Sequence, residues 1–172
     1  VSNFRSNTTS VGTVAAFAID RATGALTHIA GSPFPVFDGD VVDGISALAL
    51  TPDGRFLFTL GYSLTTFSVD AASGALKRIA KRGTIYAGSV AVDPTGRFLY
   101  ASDSFLNAVD GFAIGADGSL TPAGTQPTGG GPGGMAIMGD LLYFASTKTS
   151  LTHGFRINPV SGALAPVLGS PF

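Results

Sequence analysis

The chain has 172 residues, a formal net charge of -1, 12% charged residues and no cysteine. That balance excludes the basic footprint of a nucleic-acid binder, and the lack of cysteine excludes a disulfide framework and thiolate chemistry. No apolar run is long enough to cross a bilayer as a helix, and 24 glycines beside 11 acidic residues that are all Asp favour strands and turns over helices.

In chain order, Val1-Ser2-Asn3 aligns with Ala101-Ser102-Asp103, the end of a strand, so a first unit at 1–36 begins in mid-blade. Because Val1 is not an initiator Met, the chain is expected to be processed, excised or a fragment. The second unit, 45–81, reads as four strands: 45–50, 56–60, 65–69 and 76–80. The third, 88–125, repeats them at 89–92, 98–102, 109–114 and 120–123. The fourth, 133–172, does so at 135–138, 141–145, 152–157 and 164–168.

Two hairpin phrases alternate through these units. Phe17-Ala18-Ile19-Asp20-Arg21-Ala22-Thr23-Gly24-Ala25-Leu26 returns at Phe67–Leu76, in shortened form at Phe112–Leu120, and at Phe155–Leu164. Its turn glycines 24, 74, 118 and 162 are 50, 44 and 44 residues apart, a period typical of propeller blades. Thr51-Pro52-Asp53-Gly54-Arg55-Phe56-Leu57-Phe58 matches Asp93-Pro94-Thr95-Gly96-Arg97-Phe98-Leu99-Tyr100, and Gly139-Asp140-Leu141-Leu142-Tyr143 is a worn third copy. Pro at the second turn position and a following Asp-Gly or Thr-Gly suit a tight turn. Gly24–Phe34 and Gly162–Phe172 agree at seven of eleven places.

The expected fold is therefore all-β: one domain at 1–172, an arc of a β-propeller built from four-stranded antiparallel blades. The recurring Phe17, Phe67, Phe112 and Phe155 are expected in equivalent buried positions between blades. The arc reads as part of a larger propeller; completion by missing blades or by a second copy of the chain would cover its end faces. A self-closed four-bladed ring is disfavoured by the missing first inner strand.

Ligands of propellers lie at the mouth of the central channel, on the loops from outer to next inner strand and from second to third strand. Pro33–Gly44 is the longest such loop, with Asp38, Asp40 and Asp43. These carboxylates could hold a hard cation, but their spacing is not that of an EF-hand, and a solvated turn explains them as well. No metal and no cofactor is expected. Tyr62, Arg82, Asp103 and Asn107 are further mouth candidates for a small molecule. Of the two histidines, His28 falls on an outer strand, and His153, near a mouth loop, is the candidate general base. Gly129, Gly131 and Gly134 formally spell G-x-G-x-x-G, but Pro132 interrupts and a strand follows where a helix is required. Asn7-Thr8-Thr9 is a glycosylation sequon with meaning only in a eukaryotic secretory setting.

The Phe-x-Ile/Val-Asp-x-x-Ser/Thr-Gly-Ala-Leu and Pro-Asp/Thr-Gly-Arg-Phe-Leu-Phe/Tyr hairpins resemble the lactonase-type seven-bladed propellers and the related YVTN-repeat proteins. The resemblance implies lactone hydrolysis, with a sugar lactone as the substrate class. It also implies a His after Gly-Pro at an inner-strand start, a Glu after the Asn of a second strand, and channel arginines. Here the inner-strand starts are Asp43-Gly44-Ile45-Ser46, Ala87-Gly88-Ser89-Val90 and Gly131-Pro132-Gly133-Gly134, and the Glu position holds Phe4, Tyr62, Ser104 and Thr147. The alternative is a non-catalytic exported or cell-surface propeller that binds or scaffolds. Low charge and abundant Ser, Thr and Gly lean towards an extracellular or periplasmic setting, with the cytoplasm as the alternative.

Overall fold

The computed structural model describes residues 2–3, 12–36, 44–84 and 87–172. Among them there is no helix; the chain is strands and turns. Three four-stranded antiparallel sheets follow one another, each in sequential strand order. The first comprises Ala47–Leu50, Phe56–Leu60, Ser63–Val69 and Leu76–Thr84. The next comprises Ala87–Val92, Phe98–Asp103, Ala108–Ile114 and Leu120–Pro127. The last comprises Pro132–Met138, Leu141–Ser146, Thr152–Ile157 and Leu164–Pro166. These are blades two to four of a propeller arc.

Several stretches expected as loop are strand, residues 126–127 and 132–134 among them. Residues 81–84 extend an outer strand because Lys81, Arg82 and Thr84 pair with Thr65, Leu64 and Ser63 across two register shifts. Pro33–Gly44 does not begin as a free loop either, since Phe34 and Pro35 pair with Val14 and Thr13. The first unit is split into a three-stranded sheet and the hairpin Phe17–Ile19/Leu26–His28. At the interruption Ala16 N–H donates to Ser32 Oγ at 3.0 Å. Gly154 N–H and Ser170 Oγ repeat this at 2.9 Å in the last blade. The repeated Gly-Ser-Pro-Phe phrase thus steps out of the outer strand and returns its Phe to pairing, Phe34 with Val14 and Phe172 with Thr152.

Local chemistry sets the hairpin turns. Oδ1 of Asp20, Asp70 and Asn158 accepts two backbone N–H groups of its own turn, and Gly24, Gly74 and Gly162 close it with φ near +75°. The glycine is needed twice over at Gly118 and Gly162. A Cβ there would overlap the ring of Phe56 or Phe98 of the preceding blade. The two repeated phrases are therefore halves of one inter-blade clamp. Arg55 Nη2 donates to Ala116 O at 2.7 Å, and Arg97 Nη2 donates to Pro159 O in the same way.

The core lies between blades. Leu57 and Phe67 pack towards the first unit with Val14, Val36 and Ile45. Phe56, Phe58, Leu60, Leu99 and Phe112 fill the interface of blades two and three. Phe98, Tyr100, Leu142, Phe144 and Phe155 fill that of blades three and four. Phe67, Phe112 and Phe155 are buried in equivalent places, each facing the preceding blade. Phe17 departs from the expectation: it is only half-buried, tilted against His28 at a centroid distance of 4.2 Å.

Candidate functional site

The loops 61–62, 104–107, 128–131 and 147–151 join second to third or outer to inner strands, so strand alternation puts them on one face of the arc. Residues 4–11, 37–43 and 85–86, and with them Asp38, Asp40 and Asp43, lie outside the described residues.

On this face Tyr62 occupies the two-residue turn of blade two and is exposed. Asp103, at the end of the second strand of blade three, is buried. Its Oδ1 accepts from Phe105 N at 2.9 Å and Leu106 N at 2.8 Å, which shapes the 104–107 turn. Asn107 closes that turn at φ 53°, a left-handed conformation that Asn tolerates. Its carbonyl accepts from Thr128 N and Oγ1, and its Oδ1 accepts from Lys148 Nζ at 2.8 Å. Asn107, Thr128 and Lys148 thereby tie three loops of two blades together; the position of their loops marked Asn107 and Lys148, while Thr128 was not singled out.

Thr147, at a position where the resemblance implies Glu, has its backbone N–H and Oγ1 both donating to Gly131 O. Gly130 and Gly131 are bare because Ser146 Oγ and Thr147 Oγ1 occupy the space of a Cβ. The face also carries exposed apolar side chains, Phe105 at 71% and Leu106 at 62%, beside exposed Ser104, Thr149 and Ser150.

His153 does not reach this face. It is 9% exposed and stacked on Phe144 at 4.7 Å between blades three and four, and its Nε2 is buried with no hydrogen-bond partner among the described residues. Thr65, two residues before Phe67 as His153 is before Phe155, also has a buried Oγ1 without a partner among the described residues. His28 is exposed on an outer strand, near Ser32 Oγ. Arg82 stands on the outer strand of blade two with its guanidinium 5.0 Å above the Phe112 ring, in the cleft between blades and away from the loops above. Among the described residues no group of three metal-ligating side chains comes together. What the described loops present is backbone amides, hydroxyls, one ammonium and exposed apolar surface. That set suits binding of a neutral or anionic molecule better than proton transfer.

A family described as "Lactonase, 7-bladed beta-propeller" matches residues 80–170. A 6-phosphogluconolactonase of Pectobacterium carotovorum is 32% identical over 134 residues, covering 70% of this chain and 40% of that protein. A crystal structure of a Bacteroides uniformis protein assigned as a 6-phosphogluconolactonase superposes with a TM-score of 0.80 at 21% identity, over 97% of this chain and 52% of its own. The periplasmic gluconolactonase of Pseudomonas aeruginosa superposes with a TM-score of 0.72 at 21% identity, over 92% and 49%. At that identity the two structures speak for the fold. The chain spans about two fifths of the length of the curated relatives it matches, 40% for the first of them.

Proposed function

The chain belongs to the lactonase family of seven-bladed β-propellers, and from that premise we propose that it supplies scaffold and part of the ligand-facing rim of a lactone-binding propeller, without the reacting groups. Hydrolysis of a lactone needs a base to deprotonate water and donors for the developing oxyanion. The observation that carries the reading is the combination of a chain without Glu and a His153 sealed against Phe144. Thr147 Oγ1, at one family acid position, is occupied with Gly131 O. A poised base is not among the described residues, and the amides of Phe105, Leu106, Thr128, Thr147, Lys148 and Thr149 already donate within the loops.

The test is a lactonase assay on the purified chain with 6-phosphogluconolactone and gluconolactone, followed by proton release. The expected rate equals the spontaneous one. Turnover that survives purification and is lost in His153→Ala would overturn the reading and make His153 the base.

The second reading is a non-catalytic propeller, exported or at the cell surface, that binds through this face. It is favoured by the open apolar side chains Phe105 and Leu106 on a polar-rimmed loop cluster. Saturable chemical shift changes at Asn107 and Thr128 on titration with 6-phosphogluconate support the first reading; their absence supports the second.

A further inference from the structure

Blades two and three are not sealed to their outer edge. A cleft of about 570 Å³ opens between them, within the size range of small-molecule sites. One wall is Arg82 and Gly83 of the outer strand of blade two. The other is Asp110, Gly111 and Phe112 of the third strand of blade three with Pro122, Gly124 and Thr125 of its outer strand.

Glycine backbone lines the cleft at Gly83, Gly111 and Gly124, and at Gly83 and Gly124 no side chain fills it. Gly111 pairs with Gly124 across blade three, at a register shift between Gly111 and Phe112. A Cβ built at Gly124 or Gly83 would meet nothing within 4 Å. Asp110 sits at the position of Thr65 and His153, two residues before the recurring Phe. Those two are buried with a polar atom that has no partner among the described residues; Asp110 instead reaches the cleft, where its Oδ1 accepts from Thr125 Oγ1 at 2.5 Å.

The polar groups are of mixed sign. Arg82 lines the cleft with its guanidinium over Phe112, and its Nη1 donates a long hydrogen bond, 3.4 Å, to Leu120 O. Opposite stands the Asp110 carboxylate with a second oxygen and remaining lone pairs. A polyanion would be repelled by Asp110 and a polycation by Arg82. A neutral molecule with adjacent hydroxyl groups satisfies both, since a carboxylate accepts from two hydroxyls and a guanidinium donates to two. Pro122 offers an apolar edge to the C–H face of such a ring.

We propose that this cleft is a saccharide site, taking one neutral pyranose unit between Arg82 and Asp110. It is separate from the loop face and does not rest on the lactone reading.

The test is NMR titration of the full chain with methyl α-D-glucopyranoside, methyl α-D-galactopyranoside and N-acetylglucosamine. At least one should give saturable shifts at the Gly111, Gly124 and Thr125 amides. Asp110→Asn, which keeps an acceptor for Thr125, should weaken binding about tenfold, as should Arg82→Ala. Both variants are checked for an unchanged amide spectrum away from the cleft; Arg82→Lys serves if Arg82→Ala does not fold. No saturable shift with any of the three sugars, or binding that neither substitution weakens, overturns the proposal.

Discussion

Tyr100 Oη donates a 2.7 Å hydrogen bond to the carbonyl of Gly162, joining the second strand of one blade to the hairpin turn of the next. The ring passes over Gly111, where a Cβ would come within 3.2 Å of it. Tyr143 and Gly154 repeat the ring-over-glycine arrangement one blade on. Blades three and four are thus registered by a polar bond as well as by apolar packing.

Tyr100→Phe should cost about 1–2 kcal/mol, because it leaves a buried carbonyl without its donor. The pH dependence follows from the phenol. Burial, aided by the Asp93 carboxylate, pushes Tyr100 well above the usual tyrosine range. The raised folded value means stability is fully present below about pH 10, where unfolded tyrosine ionises, and is lost as pH rises further. Urea melts between pH 8 and 11 should show a steeper alkaline loss in the natural chain than in Tyr100→Phe.

Gly24 and Gly162 have the same φ near +75° but different surroundings. A Cβ at Gly24 meets nothing, whereas one at Gly162 overlaps Phe98. Gly24→Ala should cost about 1–2 kcal/mol of backbone strain. Gly162→Ala should add roughly 1–3 kcal/mol of overpacking. Equal melting temperatures in the two variants would refute the clamp.

Four turn carboxylates are held below the ordinary Asp range. The principal cause is the Ser73 hydroxyl for Asp70, the Thr51 hydroxyl for Asp53, the Ser119 hydroxyl for Asp117 and the Thr23 amide for Asp20. A lowered folded value stabilises above about pH 4, the unfolded range, and that stabilisation disappears as pH falls through the folded values. Asp70→Asn should keep the turn, as Asn158 does in the last blade, while making the acid limb of a stability–pH curve shallower.

His153→Phe should be neutral or stabilising by up to about 1 kcal/mol. It removes a buried nitrogen without a partner and keeps the stack on Phe144. A loss above about 1 kcal/mol in a chemical melt would show that Nε2 is satisfied in solution.

Phe34 and Phe172 end the same repeated phrase, yet Phe34 is 9% exposed and Phe172 55%. Phe34→Ala should cost about 3 kcal/mol or more, and Phe172→Ala less than 1. With Leu168, Val160 and Met138 also exposed on the last blade, light scattering is expected to show self-association that Phe172→Ser reduces.

The sequence by itself determined the all-β fold, the strand order within each blade, the hairpin turns and the inward side of Phe67, Phe112 and Phe155. These rest on two-residue alternation and on turn residues only a few positions apart, so spacing records them. It did not show the break in the third strand of the first unit or the bond from Ala16 to Ser32 beside it, which spans 16 residues. Only the tertiary structure decided which side chains meet across blades: Arg97 with Pro159, 62 residues apart, Arg82 with Asp110 across one cleft, and His153 against Phe144 and away from the loop face. Those encounters depend on how far each sheet is rotated and offset from the last. That offset is set by the summed packing of two sheet faces, and no local pattern of residues encodes it.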